Sequence, residues 1–281
     1  MCDHDLVTDD FLSLQEAAER LGLHYMTVYR YVRMGKLAAT KHNGQWQVDP
    51  ADLAALTVGS DPAKRTGSRA KAAAQLESRM LAADEAGAWA VVSSALTSGA
   101  APADIHLQML IPAMRSIGER WADGEITVFD EHQASAVATR LAARLGPRFR
   151  PRGAQRGHIV VGLVSGDTHS LTSFIIADLL RGRGFEVTDL GADTPPESFL
   201  EVIAPESGPR ADAAAISSTC DEHWPHVEAT MALLRAHHPD LPIALGGAGI
   251  TDEAQAKRAG ASFWAADIEG LIETLEDLLE A

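Results

Sequence analysis

Residues His158–His169 read HIVVGLVSGDTH, and this stretch decides the interpretation of the chain. It begins with the apolar, β-branched side chains that are typical of a buried strand, and it ends in a Gly-Asp-Thr-His loop. A helix-like, amphipathic stretch follows directly. Neutral imidazole is the commonest nitrogen ligand of metals, and the carboxylate of Asp167 can accept the second ring N–H of His169. We therefore predict that His169 binds a metal-containing ligand at the edge of a sheet.

Short apolar strands alternate with helical patterns throughout residues 155–281. We predict the strands that follow the first one at 185–190, 211–217, 241–245 and 261–264. This alternation indicates a doubly wound parallel sheet of the flavodoxin or Rossmann type, in which ligands bind outside the carboxyl ends of the strands. Ser217–Thr219 and Gly246–Gly247 fall at such ends, on the same edge as His169. A flavodoxin-like domain with a structural loop histidine is the alternative.

Composition narrows the class of protein. The chain has 281 residues, of which 46% are hydrophobic, enough for two or three domains. Its net charge of −15 argues against nucleic-acid binding by the whole surface, so any DNA contact needs a local basic face. The two cysteines, Cys2 and Cys220, are expected to be free thiols. We find no apolar run of about 20 residues and no signal-peptide pattern, and we expect a cytoplasmic protein without a membrane segment.

A helix-turn-helix followed by a β-wing is predicted over residues 10–58. Ser13-Leu14-Gln15-Glu16 has the form of a capping box at a helix start, and a second helical pattern begins at His24. Asn43-Gly44 then separates two extended runs, which is a strong hairpin signal. Residues 59–72 combine Gly, Pro, Ser and basic residues, and we predict a flexible linker there.

The predicted basic face lies within residues 24–48, which contain no Asp or Glu. This charge segregation favours contact with DNA phosphates, and a small helical domain for protein contacts is the alternative. The order of elements resembles the excisionase and MerR group of winged helix-turn-helix domains. That resemblance places DNA-contacting residues on the second helix and on the wing: Thr27, Tyr29, Arg30 and Arg33, then Lys41, His42 and Asn43.

Residues 73–150 are predicted to form a small helical bundle. Alanine-rich helical periodicity runs over 73–96, 102–117 and 129–145, with breaks at Gly99, Pro102 and Gly124. Trp121 lies near one helix end, and Glu131 and His132 lie in the first turns of the next helix. Together they could cover a flat, partly polar ligand, and the alternative is a core tryptophan beside two surface residues.

The site residues of the predicted sheet resemble the cobalamin-binding domain of methionine synthase, corrinoid methyl-transfer proteins and CarH/LitR-type photoreceptors. The motif of that domain is Asp-x-His-x-x-Gly, then Ser-x-Leu, then Gly-Gly, and this chain has DTHSLT at 167–172, SST at 217–219 and GG at 246–247. The resemblance implies that His169 is the lower axial ligand to cobalt, backed by Asp167. It also implies that Ser217, Gly246 and Gly247 line a slot for the nucleotide tail, and that Thr168, Thr172 and Thr219 are further cofactor-binding residues.

Two positions depart from the motif. Thr172 replaces its glycine and Thr219 replaces its leucine. A β-branched side chain at 172 is expected to narrow the slot. The two glycines, Gly246 and Gly247, are expected where the tail and the backbone approach closely.

The bundle also resembles one family within this group. Trp121, nine intervening residues, Glu131 and His132 match the signature of CarH-type photoreceptors, in which a bundle caps the upper face of adenosylcobalamin. The resemblance implies that Trp121 stacks on the 5′-deoxyadenosyl group and that Glu131 and His132 hold its polar edges. Some members carry a histidine after the tryptophan, which takes the upper cobalt site after light. This chain has Ala122 there, so His132 or water would take that site.

The resemblance as a whole implies a light-responsive transcriptional regulator, which is not an enzyme. Its cofactor would be adenosylcobalamin, and its partners would be operator DNA and copies of itself, in a dimer or tetramer that depends on ligand and light. One alternative is a corrinoid-carrying subunit for methyl transfer. Another is a sensor of cobalamin level, or a bilin-assisted sensor, that uses another cobalamin form or a bilin.

Overall fold

The computed structural model describes residues 11–21, 25–33, 37–42, 45–53, 62–149 and 155–280. The chain divides into two compact units, Met1–Lys71 and Ala72–Ala281. In the described ranges, every helix is too short or too polar to cross a membrane.

The first unit is a small helical domain with a three-stranded antiparallel sheet in the order β1-β3-β2. Its described elements are β1 (Leu12–Ser13), α1 (Leu14–Leu21), α2 (Tyr25–Arg33), β2 (Thr40–His42) and β3 (Gln45–Val48), followed by helical residues at 50–53. A core of small and branched side chains joins the helices to the sheet: Leu12, Leu14, Ala17, Ala18, Val28, Leu37, Val48 and Leu53.

The predicted helix start and wing are both present. The Glu16 N–H donates to Ser13 Oγ at 3.2 Å, and the Ser13 N–H donates to Glu16 Oε2 at 2.8 Å, so the capping box is complete. In the wing, His42 pairs with Gln45, a register that leaves two residues for the turn. Those residues, Asn43 and Gly44, lie outside the described part of the chain.

The second unit begins with the helical bundle. Its helices are α3 (Pro62–Leu81), which starts in the first unit, α4 (Glu85–Thr97), α5 (Pro102–Ile105), a π-helical turn (His106–Leu110), α6 (Ile111–Ala122) and α7 (Val128–Leu145). The prediction of one continuous helix over 73–96 was wrong. The chain breaks at Ala83, whose φ is 51°, and Asp84 then caps α4 by accepting the Gly87 N–H at 2.8 Å.

The expectation of an irregular linker over 59–72 also differs from the structure. Helix α3 extends back to Pro62, while residues 59–61 lie outside the described part. Proline fits the first turn of a helix, where its missing N–H would have no partner, and the alanine-rich continuation has high helix propensity. The boundary between the two compact units therefore falls within a helix, between Lys71 and Ala72.

A five-stranded parallel sheet in the order β5-β4-β6-β7-β8 forms the rest of the second unit, as predicted. The strands are β4 (His158–Leu163), β5 (Glu186–Asp189), β6 (Ala213–Ser217), β7 (Ile243–Gly246) and β8 (Phe263–Ala265). The connecting and final helices are α8 (Ser170–Gly182), α9 (Pro196–Ile203), α10 (Trp224–His237), α11 (Glu253–Arg258) and α12 (Ile268–Glu280). From β4 the chain first adds β5 on one side and then β6, β7 and β8 on the other. The switch point therefore lies between β4 and β6, which is where such sheets bind ligands.

The two faces of the sheet belong to different cores. On one face, Val160, Ile216 and Leu245 pack against α9 and α10. On the other, Ala215 and Ala244 share a core with α8, α12 and the bundle. The bundle and the sheet therefore form one continuous hydrophobic body.

A buried polar pair crosses the contact between the bundle and helix α8. His106 Nε2 lies 3.1 Å from Asp178 Oδ2, and both side chains are almost fully buried. The His106 ring also stacks on Phe149 with 5.0 Å between centroids. His106 opens the π-helical turn, in which the Ile111 N–H donates to the His106 carbonyl, and Pro112 follows at once. The widened turn accommodates a proline, which cannot donate to the preceding turn.

Replacing Asp178 by alanine is expected to lower the free energy of unfolding by about 2–4 kcal/mol, because it leaves a buried imidazole without its acceptor. Urea denaturation followed by circular dichroism measures the change. The control is Arg140→Ala, which breaks an exposed ion pair with Glu85 and is expected to cost less than about 1 kcal/mol. Equal losses in the two variants would contradict a structural role for the buried pair.

Candidate functional site

Asp167 is the centre of the site at the carboxyl end of β4. Its side chain is 0% exposed. One carboxylate oxygen, Oδ2, accepts the Thr219 N–H at 2.6 Å, and the Thr219 hydroxyl lies 2.9 Å from both oxygens. The other oxygen lies 2.8 Å from His169 Nδ1. Asp167 therefore ties the loop after β4 to the loop after β6.

The electrostatics of this group follow from its contacts. Burial opposes ionisation of Asp167, but hydrogen bonds from His169 and Thr219 outweigh it, and the pKa of Asp167 lies below its ordinary value. The hydrogen bond to Asp167 raises the pKa of His169, with a smaller contribution from the Glu131 carboxylate of the bundle. The lowered pKa of Asp167 thus favours its anionic form behind the imidazole.

His169 presents its ring to the outside of this group. It stands at the start of helix α8, and its side chain is 58% exposed. Because Nδ1 faces Asp167, Nε2 is the ring nitrogen available to a metal. Thr168 is exposed between the two, and its carbonyl accepts the Ser170 N–H. The carboxylate-backed imidazole that the sequence predicted is therefore present.

A cavity of about 980 Å³ opens beside the His169 loop, between α8, α12 and the ends of the central strands. Four of the predicted cofactor-binding residues line it: Thr172, Ser217, Gly246 and Gly247. Thr219 does not line the cavity, and its hydroxyl instead contacts the Asp167 carboxylate. His169 and the three predicted cap residues also lie outside the lining. The structure therefore separates the predicted residues into an imidazole group and a slot.

The depth of the cavity comes from small side chains, of which the sequence analysis selected Ser217 and Gly246 but not the two alanines, Ala215 and Ala244. On the cavity face of the sheet, β6 and β7 carry Ala215, Ser217, Ala244 and Gly246. The bulky Ile216 and Leu245 belong to the core on the opposite face, and Ile216 also borders the cavity. Alternation of small and large residues along these strands was the available signal. Trp264 also lines the cavity, held by its Nε1 donating to the Ile250 carbonyl at 3.2 Å.

Neither glycine at the end of β7 is explained by ligand approach alone. A Cβ on Gly246 would lie 2.6 Å from the Ala265 carbonyl oxygen. Gly247 has a φ of +97°, and its Cβ would lie 2.2 Å from the Ser218 carbonyl oxygen. Packing within the protein therefore requires glycine at both positions. This reason is additional to the expected close approach of the nucleotide tail to the backbone.

The predicted cap residues lie at the junction of α6 and α7. Trp121 is 50% exposed in the last turn of α6, so it is not a core anchor. Glu131 Oε2 lies 2.8 Å from His132 Nδ1 in the first turns of α7, which Thr127 caps with Asp130. Val128 and Phe129, which sequence reasoning missed, are 55% and 68% exposed beside them. The cap thus presents an apolar surface with one carboxylate–imidazole pair.

The residues predicted to contact DNA lie on α2 and β2 of the first unit. On α2, Tyr29 is half-buried and stacks with Tyr25 at 6.4 Å between centroids, and Arg33 is exposed. On β2, the exposed Lys41 stands 5.6 Å from the Trp46 ring centroid. The other residues predicted to contact DNA have side chains, or lie entirely, outside the described part of the chain: Thr27, Arg30, His42 and Asn43.

Three family models match the chain. A helix-turn-helix domain matches residues 11–57, and two models, each of a B12 binding domain, match residues 72–145 and 157–271. The second and third matches cover the helical bundle and the parallel sheet with its cavity. The fold and the site thus define a cobalamin-binding protein. This chain is one that also carries an N-terminal helix-turn-helix domain, a combination that the sequence predicted.

Curated relatives include corrinoid proteins of methanogens. The dimethylamine corrinoid protein of Methanosarcina barkeri is 26% identical over 182 residues, which are 63% of this chain and 84% of that protein. Trimethylamine corrinoid protein 1 of Methanosarcina mazei is 30% identical over 116 residues, which are 40% of this chain and 53% of that protein. The chain thus spans about half the length of the second relative.

A solved structure shares the fold of the second unit, which includes the bundle and the sheet. The monomethylamine corrinoid protein of Methanosarcina barkeri superposes with a TM-score of 0.63 at 19% identity, covering 72% of this chain and 96% of that one. At this identity, the likeness shows the fold.

The residues present fit a corrinoid with a nucleotide tail. His169 offers an exposed imidazole nitrogen with a carboxylate behind it, which is a suitable ligand for cobalt. The adjoining cavity is deep because its strands carry alanine and glycine, and it is walled by apolar side chains of α8 and α12. Thr172 stands in the wall of this cavity without closing it.

The raised pKa of His169 predicts a pH dependence of cobalt ligation. Only neutral imidazole binds a metal, so protonation competes with ligation, and the raised pKa of His169 moves this competition to higher pH than for an ordinary histidine. The same shift stabilises the folded apoprotein below the ordinary histidine pKa, and that stability is lost as the pH rises through the raised pKa. A pH titration of the His169 ring resonance by NMR, and of the visible spectrum of cobalamin-loaded protein, measures both.

Asp167→Asn is the matched variant for this titration. It removes the negative charge and is expected to lower the pKa of His169, so that loss of ligation moves to lower pH. His169→Ala assigns the resonance and should show no such transition in the spectrum. An unchanged or higher His169 midpoint in Asp167→Asn would contradict the assignment of the shift to Asp167.

Proposed function

We propose that this chain is a light-responsive transcriptional regulator that uses adenosylcobalamin. The observation that carries the proposal is the cap: Trp121 is half exposed instead of buried in the bundle, and the Glu131 carboxylate acts on the pKa of His169. The Glu131 side of the bundle therefore lies within electrostatic range of the imidazole. The helix-turn-helix domain in the same chain supplies a means of contacting DNA.

The residues have distinct proposed roles. His169 holds cobalt from below through Nε2 while Asp167 fixes Nδ1, and the cavity receives the nucleotide tail. Trp121 covers the adenosyl group, and Glu131 with His132 binds its polar edge. When bound, adenosylcobalamin supplies a cobalt–carbon bond that light breaks. Because Ala122 follows Trp121, His132 or water would be the available ligand on the cap side after illumination.

The proposed output is a change in oligomeric state. In the dark, the cap contacts hold the bundle against the adenosyl group and favour a homo-oligomer, a dimer or tetramer. An oligomer places several DNA-binding domains on one operator, which raises their effective concentration. In the light, Trp121, Glu131 and His132 lose their contact, the bundle shifts, and the population moves to the dissociated form with low operator affinity.

DNA contact is proposed for one face of the first unit. Arg33 on α2 and Lys41 on β2 are exposed, and the pairing of β2 with β3 fixes the position of the wing. Thr27, Tyr29 and Arg30 complete the proposed set on α2. Cationic side chains on a recognition helix and wing bind phosphates and base edges. We propose that the chain acts through this contact as a sensor and not as an enzyme.

A corrinoid carrier for methyl transfer is the second candidate. The curated relatives named above favour it, since they are corrinoid proteins for dimethylamine and trimethylamine. The helix-turn-helix domain and the exposed tryptophan of the cap favour the regulator. Transfer of a methyl group from loaded protein to a partner enzyme, with no response of DNA binding to light, would support the carrier.

Green light is expected to abolish the gel shift of operator DNA by adenosylcobalamin-loaded protein and to lower its mass in light scattering. The operator is first selected from random duplexes by dark-state protein. Hydroxocobalamin-loaded protein, which lacks the light-sensitive bond, is the control and should not respond. The same gel shift and mass before and after illumination of the adenosylcobalamin form would refute the proposal.

A further inference from the structure

The cavity beside the His169 loop is built by the bundle as well as by the sheet. Five of its lining residues come from the π-helical turn and the first half of α6: Leu107, Ile111, Pro112, Met114 and Arg115. They stand in the same cavity as Thr172, Ser217 and Gly247. Whatever fills the cavity therefore contacts the cap and the sheet at once.

The charges around the cavity are unequal. Its lining contains Arg115, Asp267 and Glu269 as its charged side chains. Asp267 already accepts the Gly270 N–H at 2.8 Å at the start of α12. Arg115 is exposed, and it forms no ion pair or hydrogen bond with the described part of the chain. The cavity lining thus offers one available guanidinium together with two carboxylates.

The nucleotide tail of a cobalamin has chemistry that matches this arrangement. Its benzimidazole base is apolar and flat, and it matches the apolar part of the cavity lining. That part includes Ala215, Ala244, Ile175 and Leu271. Its phosphodiester carries one negative charge, which Asp267 and Glu269 would repel and a guanidinium would attract. Arg115 is the residue of the lining that can offset this repulsion.

We propose that Arg115 binds the phosphodiester of the nucleotide tail, so that the tail fastens the cap helix α6 to the sheet domain. The proposal depends on the function proposed above only for the seating of the tail in the cavity, and not on light or DNA. Trp121 lies on the same helix, six residues after Arg115. Occupancy of the slot therefore sets the position of the side chain that covers the upper face of the ligand.

The first test compares two ligands in the dark without DNA. Adenosylcobalamin carries the nucleotide tail, and adenosylcobinamide lacks both the base and its phosphodiester. Arg115→Gln is expected to weaken adenosylcobalamin binding by about threefold to tenfold, the effect of one partly exposed charge-assisted hydrogen bond. It should leave adenosylcobinamide binding unchanged. Because the contact is electrostatic, the difference should shrink when the salt concentration is raised about tenfold.

Two further variants separate charge from fold. Arg115→Lys keeps the charge and should retain most of the affinity for adenosylcobalamin. Arg140→Gln removes an exposed arginine of the same bundle that pairs with Glu85 and does not line the cavity, and it should bind both ligands normally. Equal weakening of both ligands by Arg115→Gln, or no weakening of either, would overturn the proposal.

Hydrogen exchange tests the position of the cap. Adenosylcobalamin should protect the amides of residues 113–122 more strongly than adenosylcobinamide at equal saturation, and Arg115→Gln should reduce that difference. Equal protection by the two ligands would overturn the proposed fastening. A regulator that fails to respond to light, but shows this tail-dependent protection, would refute the proposed function and leave the role of Arg115 standing.

Discussion

A single buried carboxylate sets the geometry of the site. Asp167 is ionised although it is fully buried, because Thr219 donates a backbone N–H and lies with its hydroxyl at 2.9 Å from the carboxylate oxygens, with His169 on the remaining side. These partners belong to loops after adjacent strands, whose spacing the parallel register between β4 and β6 fixes. The orientation of the imidazole therefore depends on the sheet. His169 lies on a loop, but its position is fixed through Asp167 by the two paired strands.

The second constraint is the distribution of side-chain volume across the sheet. On one face, β6 and β7 use large aliphatic residues to fill the core against α9 and α10. On the other face, alanine and glycine leave the cavity, and helices α8 and α12 hold its walls apart. The same two strands thus close one layer of the domain and open the other. The cavity exists because the strands carry small residues on this face, whereas the imidazole group depends on the side chains of Asp167, His169 and Thr219.

Much of this architecture could be predicted from the sequence, because it depends on local patterns. Strand–helix alternation gave the parallel sheet, and the Asp167–His169 loop and the junction between Trp121 and Glu131 fall where periodicity places them. The break at Ala83 was missed because an alanine-rich segment carries no breaker there, and Asp84 acts only as a cap. The role of Arg115 in the cavity wall could not be predicted, since it depends on how the bundle packs against the sheet.

The glycine pair at the end of β7 bears on how such proteins are recognised. Gly246 is required by the backbone of β8 and Gly247 by the loop after β6, whether or not a ligand is present. A descendant that lost its cofactor would still need both residues in order to fold. The pair is therefore a marker of ancestry in the sheet, and evidence for a retained cofactor has to come from the imidazole and from the small residues that keep the cavity open.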